Sequence, residues 1–101
     1  MVMQSHYPES FERDMACTEA EWLAWLPKAM GDHRWQRSDQ SVHVQLSQGQ
    51  LMIRWRTLPP RVIALLRMPR LGVSFAFTDA DASIRYHFMR RFDLTTQRGG
   101  G

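Results

Sequence analysis

The chain has 101 residues, of which 44% are hydrophobic and 11% aromatic, and this length supports one domain with a single core over residues 1–101. It carries 13 basic and 10 acidic side chains, a net charge of +3, and one cysteine, Cys17, which excludes an internal disulfide and a multi-thiolate metal site. No apolar run approaches the ~20 residues of a membrane-spanning helix, and residues 1–6 do not form a secretory signal. These features predict a cytoplasmic protein that does not bind a membrane.

The charge is divided unevenly along the chain. Residues 1–50 carry four basic and seven acidic side chains, a net −3, whereas residues 51–101 carry nine arginines and three aspartates, a net +6. Arginine forms bidentate pairs with phosphate and carboxylate groups, so the second half favours an anionic partner. The alternative is that the two halves neutralise each other in the folded protein.

One strand and one helix are predicted in the first part of the chain. Residues 9–17 alternate between two sets of side chains and predict a strand. Thr18 and Glu21 then form a capping box, in which each side chain accepts a hydrogen bond from the backbone N–H of the other, so a helix begins here. Pro27 interrupts the apolar pattern of this helix and predicts a kink or a break. Gly31 ends the helix, and a polar connection follows.

A β-hairpin is predicted from Ser41 to Leu58, with a two-residue turn at Gln48-Gly49. Pairing Ser47 with Gln50 places large apolar side chains on one face, namely Val42, Val44, Leu46, Leu51, Ile53 and Trp55. The other face carries polar and basic side chains, among them His43, Arg54 and Arg56. Because a slip of one residue would bury two arginines, the sequence specifies the two faces strongly.

The rest of the chain predicts a helix, a strand and a second long helix. Pro60 suits the first position of a short crossover helix over residues 60–68, for which a loop is the alternative. Residues 71–77 alternate strictly and predict a strand. Thr78 to Asp81 carry a helix start signal, and the helix runs to about Thr96. Its apolar stripe contains Ile84, Phe88 and Phe92, and Asp93 points away from that stripe.

The predicted fold class is α+β, with the element order β-α-β-β-α-β followed by a C-terminal helix. This is the order of a ferredoxin-like sandwich, an antiparallel four-stranded sheet with helices packed on one face and the other face open. If residues 60–68 form a loop, the order becomes β-α-β-β-β-α. Fold alone does not assign a function.

Two groups of basic side chains are candidates for binding an anionic partner. The first lies on the open face of the sheet and consists of His43, Arg54 and Arg56. Glu12 and Asp14 of the first strand share that face, and the alternative is that they pair with the two arginines across strands. The second group lies around the crossover and on the last helix, and it includes Arg61, Arg67, Arg70 and Arg90. The alternative for this group is an ordinary polar surface.

Cys17 is a candidate reactive thiol, because it lies just before the Thr18 cap at the positive end of a helix, where a thiol pKa can be lowered. The alternative is that it is a small packing residue. The four histidines lack the spacings that place two imidazoles on one metal ion, and no catalytic sequence motif occurs. The sequence therefore predicts no metal site and no cofactor, and it favours a protein that is not an enzyme.

The two ends of the chain predict little regular structure. Residues 1–8 show no periodicity and predict a loose arm, and residues 98–101 predict a flexible tail. The terminal Gly100-Gly101 resembles the tails of sulfur-carrier and ubiquitin-like proteins, and this resemblance implies a carrier function.

Three functions follow from these observations. The first is an interaction module that docks a protein or anionic partner on the open face or an edge of its sheet, or that self-associates. The second is a carrier or enzyme-associated protein that acts through the C-terminal glycines or Cys17. The third is a weak nucleic-acid-binding protein. It ranks below a protein partner, because the aromatic rings that could stack on bases face the core, namely those of Trp55, Phe75 and Phe77.

Overall fold

The computed structural model of the protein describes residues 6–100, with the side chains of residues 6–97. Within this range the chain forms the strands β1 (Ser10–Met15), β2 (Arg34–Ser38), β3 (Ser41–Gln45), β4 (Gln50–Ile63) and β5 (Leu66–Thr78), and the helices α1 (Glu19–Met30) and α2 (Ala82–Gly100). The strands form one antiparallel sheet in the order β1-β5-β4-β3-β2. The predicted α+β class is confirmed. The ferredoxin-like four-stranded order is not confirmed, because the sheet has five strands in the described range.

Residues 60–68 form neither a helix nor a loop, so both predictions for this segment were wrong. The strand β4 continues to Ile63, and β5 begins at Leu66 after the two-residue connection Ala64-Leu65. A bulge between Leu58 and Arg61 interrupts the pairing with β5. The residues Pro59 and Pro60 lie in this bulge, where their missing N–H groups remove no regular ladder hydrogen bond.

The segment between Gly31 and Ser41 was predicted as a polar connection, and it contains the edge strand β2. Trp35 of β2 pairs opposite Val44 of β3 and packs on the core. The other β2 side chains are exposed. An edge strand with a single core contact carries little apolar alternation, and this is why the sequence pattern missed it.

The β3–β4 hairpin has the predicted faces but not the predicted register. Gln45 pairs with Gln50 and Val44 with Leu51, a shift of two residues from the predicted pairing. Because side chains alternate with a period of two, this shift leaves every side chain on its predicted face. The connection is four residues long and ends at Gly49, whose φ of +80° and close approach to the Thr78 carbonyl both require glycine.

Both helices cover one face of the sheet and bury the core there. The capping box of α1 forms as predicted, with the Glu21 N–H donating to the Thr18 hydroxyl. No break occurs at Pro27, and α1 continues to Met30 because the burial of Leu26 and Met30 offsets the ~3 kcal/mol cost of an interior proline. The α2 residues buried against the sheet and α1 are Phe88, Met89, Phe92 and Thr96. The opposite face of the sheet is open.

Candidate functional site

The open face of the sheet carries the first predicted group of basic residues. The register places Glu12 opposite Ser74 and Ser74 opposite Arg54, so β5 separates the carboxylate from the arginine. Asp14 and Arg56 are related in the same way through Gly72. Two strand spacings are about 10 Å, too far for the predicted cross-strand pairs. Within the described residues, neither Arg54 nor Arg56 forms an ion pair.

One of the two acids on this face, Asp14, pairs with Arg70 of β5 instead. The Arg70 guanidinium donates to its carboxylate from Nη2 at 2.6 Å and from Nε at 2.9 Å, and this hydrogen bonding holds the pKa of Asp14 below its usual value. Arg61 approaches the same carboxylate at 4.0 Å. A shallow depression of about 350 Å³ lies between these groups, with Gly72 and Ser74 on its floor. His43 lies elsewhere on the open face, where its Nε2 hydrogen-bonds Gln50.

The most unusual feature of the surface is a hairpin arm, residues 57–70, in which β4 and β5 pair only with each other. β3 pairs with β4 only as far as Arg54, and β1 pairs with β5 only as far as Leu71. The arm contains seven residues of β4 (57–63) and five residues of β5 (66–70), a length of roughly 17–23 Å. Neither helix covers this part of the strands, since every residue from 61 to 69 is exposed.

The end of the hairpin arm is an apolar tip. Its members are the exposed aliphatic side chains Val62 (60%), Ile63 (54%), Leu65 (101%), Leu66 (65%) and Met68 (39%). In the described part of the chain only one other large hydrophobic side chain, Leu94, is this exposed. By their register Ile63, Leu66 and Met68 share one face of the arm, Val62 lies on the other face, and Leu65 lies in the connection. Exposed apolar side chains gathered at one end of a small protein indicate a site of interaction.

Prolines protect the edges of the hairpin arm from pairing with another strand. Pro59 and Pro60 lie on β4, and Pro69 lies opposite them on β5. A proline has no N–H to donate, so each strand edge presents an incomplete hydrogen-bonding ladder. Docking by strand addition is therefore disfavoured, and the arm offers its side chains instead.

The hairpin arm is also basic. No aspartate or glutamate occurs between Asp39 and Asp79, so the only charged side chains of the arm are Arg61, Arg67 and Arg70. Arg61 and Arg70 share the Asp14 carboxylate, whereas Arg67 has no ion pair within the described residues. Three residues of the second predicted group thus lie on the arm, Arg61 and Arg67 beside the apolar tip and Arg70 at the base of the arm, a juxtaposition that the sequence did not reveal.

Arg90, the remaining member of that group, lies in a separate groove between α1 and α2. This interhelical groove has a volume of about 550 Å³ and is lined by Ala24, Trp25, Lys28, His87, Arg90, Arg91, Leu94 and Thr95. The predicted group of arginines is therefore not one surface: it is divided between the arm and the helical layer.

A partly buried polar cluster that the sequence did not predict connects β1 to α2. Asp93 accepts hydrogen bonds from the Tyr7 hydroxyl at 2.6 Å and from the Arg13 guanidinium at 3.0 Å. Arg13 also lies over the rings of Phe11 and Phe75, at 5.5 Å from each centroid. Burial, together with the hydrogen bond to Asp93, raises the pKa of Tyr7 to about 12. Asp93 thus points into the protein, contrary to its predicted position, and Tyr7 of the predicted loose arm is buried.

Cys17 is buried in the core. Burial and the nearby charge of Glu21 raise the pKa of its thiol to about 11. A protonated and inaccessible thiol is a poor nucleophile, so these observations favour the packing role. Among the described residues, no three His, Cys, Asp or Glu side chains are grouped so that they could hold a metal ion.

The described C-terminal glycines, Gly99 and Gly100, continue α2, and Gly101 lies outside the described residues, as do residues 1–5 of the predicted arm. In sulfur-carrier and ubiquitin-like proteins the corresponding tail follows a strand, so the placement after a helix differs from that resemblance. None of the described helices is both long enough and apolar enough to cross a membrane.

No protein-family model matches the chain, and no curated protein matches it in sequence.

Proposed function

We propose that the protein is a non-enzymatic interaction module of the cytoplasm that docks a protein partner through the hairpin arm. The observation that carries the proposal is the apolar tip, with side chains from Val62 to Met68 that are 39–101% exposed. The docking element is thus the arm rather than the open face of the sheet. The partner that fits it has an apolar pocket for the tip and carboxylates at the rim for the arginines.

The energetics support a partner that covers the tip. Fully burying an aliphatic side chain of this size contributes about 1.5–3 kcal/mol. The Val, Ile and Leu side chains of the tip are 54–101% exposed, so burying their exposed area reaches the lower part of the 4–15 kcal/mol that association costs in lost freedom. A two-stranded ribbon is only marginally stable in water, so a partner would also stabilise the arm.

The arm is better suited to a protein than to a nucleic acid. It contains no Phe, Tyr or Trp on which bases could stack. Two of its arginines share Asp14, which lowers the charge available to a phosphate backbone. A second copy of the chain is disfavoured where it would bring the arm against the interhelical groove, because both of these surfaces are basic.

The proposal is tested by site-specific photo-crosslinking in the native cells. A photoreactive amino acid at position 65 should give a discrete adduct with a second protein, whereas the same group at Gln45, which is exposed on the open sheet face, should give none. Adding Leu66→Asp should remove the adduct, because it places a charge in the apolar contact.

Equal adducts from positions 65 and 45, or no adduct from position 65, would overturn the proposal. An adduct whose mass equals that of a second copy of the chain would replace the proposed partner with self-association. Circular dichroism of the Leu66→Asp variant shows whether the fold is retained.

A further inference from the structure

The interhelical groove offers a second binding surface with a different character from the arm. Its α2 wall consists of residues spaced i, i+3, i+4, i+7 and i+8, namely His87, Arg90, Arg91, Leu94 and Thr95. This spacing forms a continuous stripe along two helical turns, about 11 Å. The stripe is separate from the buried face of α2, so one face of the helix packs on the core and another lines the groove.

The floor of the interhelical groove is apolar and permits close approach. Trp25 of α1 is half-buried there, and Leu94 of α2 is 41% exposed, more than a core leucine would be. Ala24 and Thr95 are short side chains beside them, which leaves room for another helix at the usual interaxial distance of about 8–10 Å.

The rim of the groove is cationic. The side chains of Lys28, Arg90 and Arg91 are basic and exposed, His87 adds an imidazole, and no carboxylate is among the lining residues. One turn back on α1, the Glu21 carboxylate is bound to the Thr18 cap. The groove therefore combines an apolar floor with a one-sign rim.

From this geometry we infer that the interhelical groove binds an acidic amphipathic helix of another protein. Such a helix would place its apolar stripe on Trp25 and Leu94, and its carboxylates would face Lys28, Arg90 and Arg91. Laying an amphipathic helix into a groove is a common mode of peptide recognition. This site is independent of the arm, so the protein would hold two partners at once.

The test uses two designed peptides of about 15 residues with the same apolar stripe, one with glutamates and one with lysines on its polar face. Titration by fluorescence anisotropy should show binding of the acidic peptide and at least about tenfold weaker binding of the basic one, a difference of about 1.4 kcal/mol. The double variant Lys28→Glu, Arg90→Glu should weaken binding of the acidic peptide by a similar factor.

The matched control is Arg54→Glu, Arg56→Glu, which makes the same change of charge on the open sheet face and should alter the affinity less than about twofold, as expected for a distant site. Equal effects of the two double variants would show attraction by net charge alone and overturn the inference. Leu94→Gln, which keeps every charge, should also weaken binding, and no effect of this variant would contradict an apolar floor.

Two further measurements separate this inference from other readings. The arm variant Leu66→Asp should leave peptide binding unchanged, so the groove can fail or succeed independently of the proposed function. If decanoate binds in the groove and the acidic peptide does not, the occupant is an acyl carboxylate and the inference of a helical partner is wrong.

Discussion

The two ends of the β4–β5 pair differ in what covers their apolar side chains. In the body of the protein, Leu51 of β4 and Phe75 of β5 are at most 1% exposed, whereas Ile63 and Leu66 in the hairpin arm are more than half exposed. The strands are the same, and the residue types are similar. The difference lies in the neighbours, because the body end has β1, β3 and the two helices beside it and the arm end has none.

This comparison separates two uses of an apolar strand. In the body, burial of side chains stabilises the fold, as for Trp55, whose ring packs against Trp22 and whose indole N–H donates to Glu19 at 2.8 Å. In the arm, the same kind of side chain contributes little to the folded monomer. Its apolar area is available for binding, and the proposed function depends on that difference.

The largest expected effect tests the two ends directly. Trp55→Ala should lower the free energy of unfolding by about 3–5 kcal/mol, because it removes a buried ring and leaves Glu19 without that hydrogen bond. Leu65→Ala, at the tip of the arm, should change it by less than about 0.5 kcal/mol. Urea denaturation of both variants measures the contrast. A loss of several kcal/mol for Leu65→Ala would mean that the arm is covered in the free protein.

In the body, the sequence predicted which face of each strand is buried, because polar and apolar side chains alternate along these strands. The faces of β3 and β4 were correct because inward Val42 and outward His43 differ strongly in polarity. The predicted register of the β3–β4 hairpin was wrong. A shift of two residues preserves the two faces, and only the length of the turn distinguishes the two pairings. β2 was missed because Trp35 is its one apolar contact with the core.

The hairpin arm was missed for a different reason. A short apolar run such as Val62-Ile63 and Leu65-Leu66 fits a helix and a strand equally well by periodicity. Two signals favoured the strand: the β-branched pair Val62-Ile63, and prolines at both ends of the run, which leave too few residues for a stable helix. That the run would be exposed could not be predicted, since exposure depends on where β1 and β3 end.

The sequence also could not predict which basic residues lie together in the folded protein. Their number and sign were evident from the sequence, and Arg54 and Arg56 lie on the predicted face. The way these residues are grouped was not evident from the sequence, because it depends on tertiary neighbours. Asp14 pairs with Arg70 rather than with Arg54 or Arg56 of β4, and Arg90 lines the interhelical groove rather than the arm.

The second-largest expected effect on the free energy of unfolding concerns Tyr7, which holds the segment before β1 against α2. Burial and the hydrogen bond to Asp93 raise the pKa of Tyr7 from 10.0 to about 12, so the folded protein favours the neutral phenol. This stabilisation is complete below pH 10 and is lost as the pH rises through about 12. The free energy of unfolding should therefore fall by about 2 kcal/mol between pH 10 and pH 12. Tyr7→Phe should be less stable at pH 8 by about 1 kcal/mol.

The control for this measurement is the alkaline slope of the Tyr7→Phe variant, which should retain only the contribution of other groups such as Cys17, whose pKa is raised to about 11. An unchanged slope between pH 10 and pH 12 in that variant would contradict a buried, neutral Tyr7. Leu65→Ala should show the same slope as the unmodified protein, because neither leucine nor alanine has a titratable side chain.

The smallest expected effect concerns nucleic acids, to which both regions present arginines. We expect binding no tighter than the non-specific range of about 10⁻⁴ to 10⁻⁶ M at physiological salt, because Asp14 neutralises part of the arm and residues 57–70 contain no Phe, Tyr or Trp on which bases could stack. Arg54→Glu, Arg56→Glu on the body and Arg61→Glu, Arg67→Glu on the arm should each weaken this binding modestly and alike for every sequence. An anisotropy titration with duplex and single-stranded oligonucleotides measures both. Nanomolar affinity that only the arm variant abolishes would keep the distinction between body and arm but identify the arm's partner as nucleic acid.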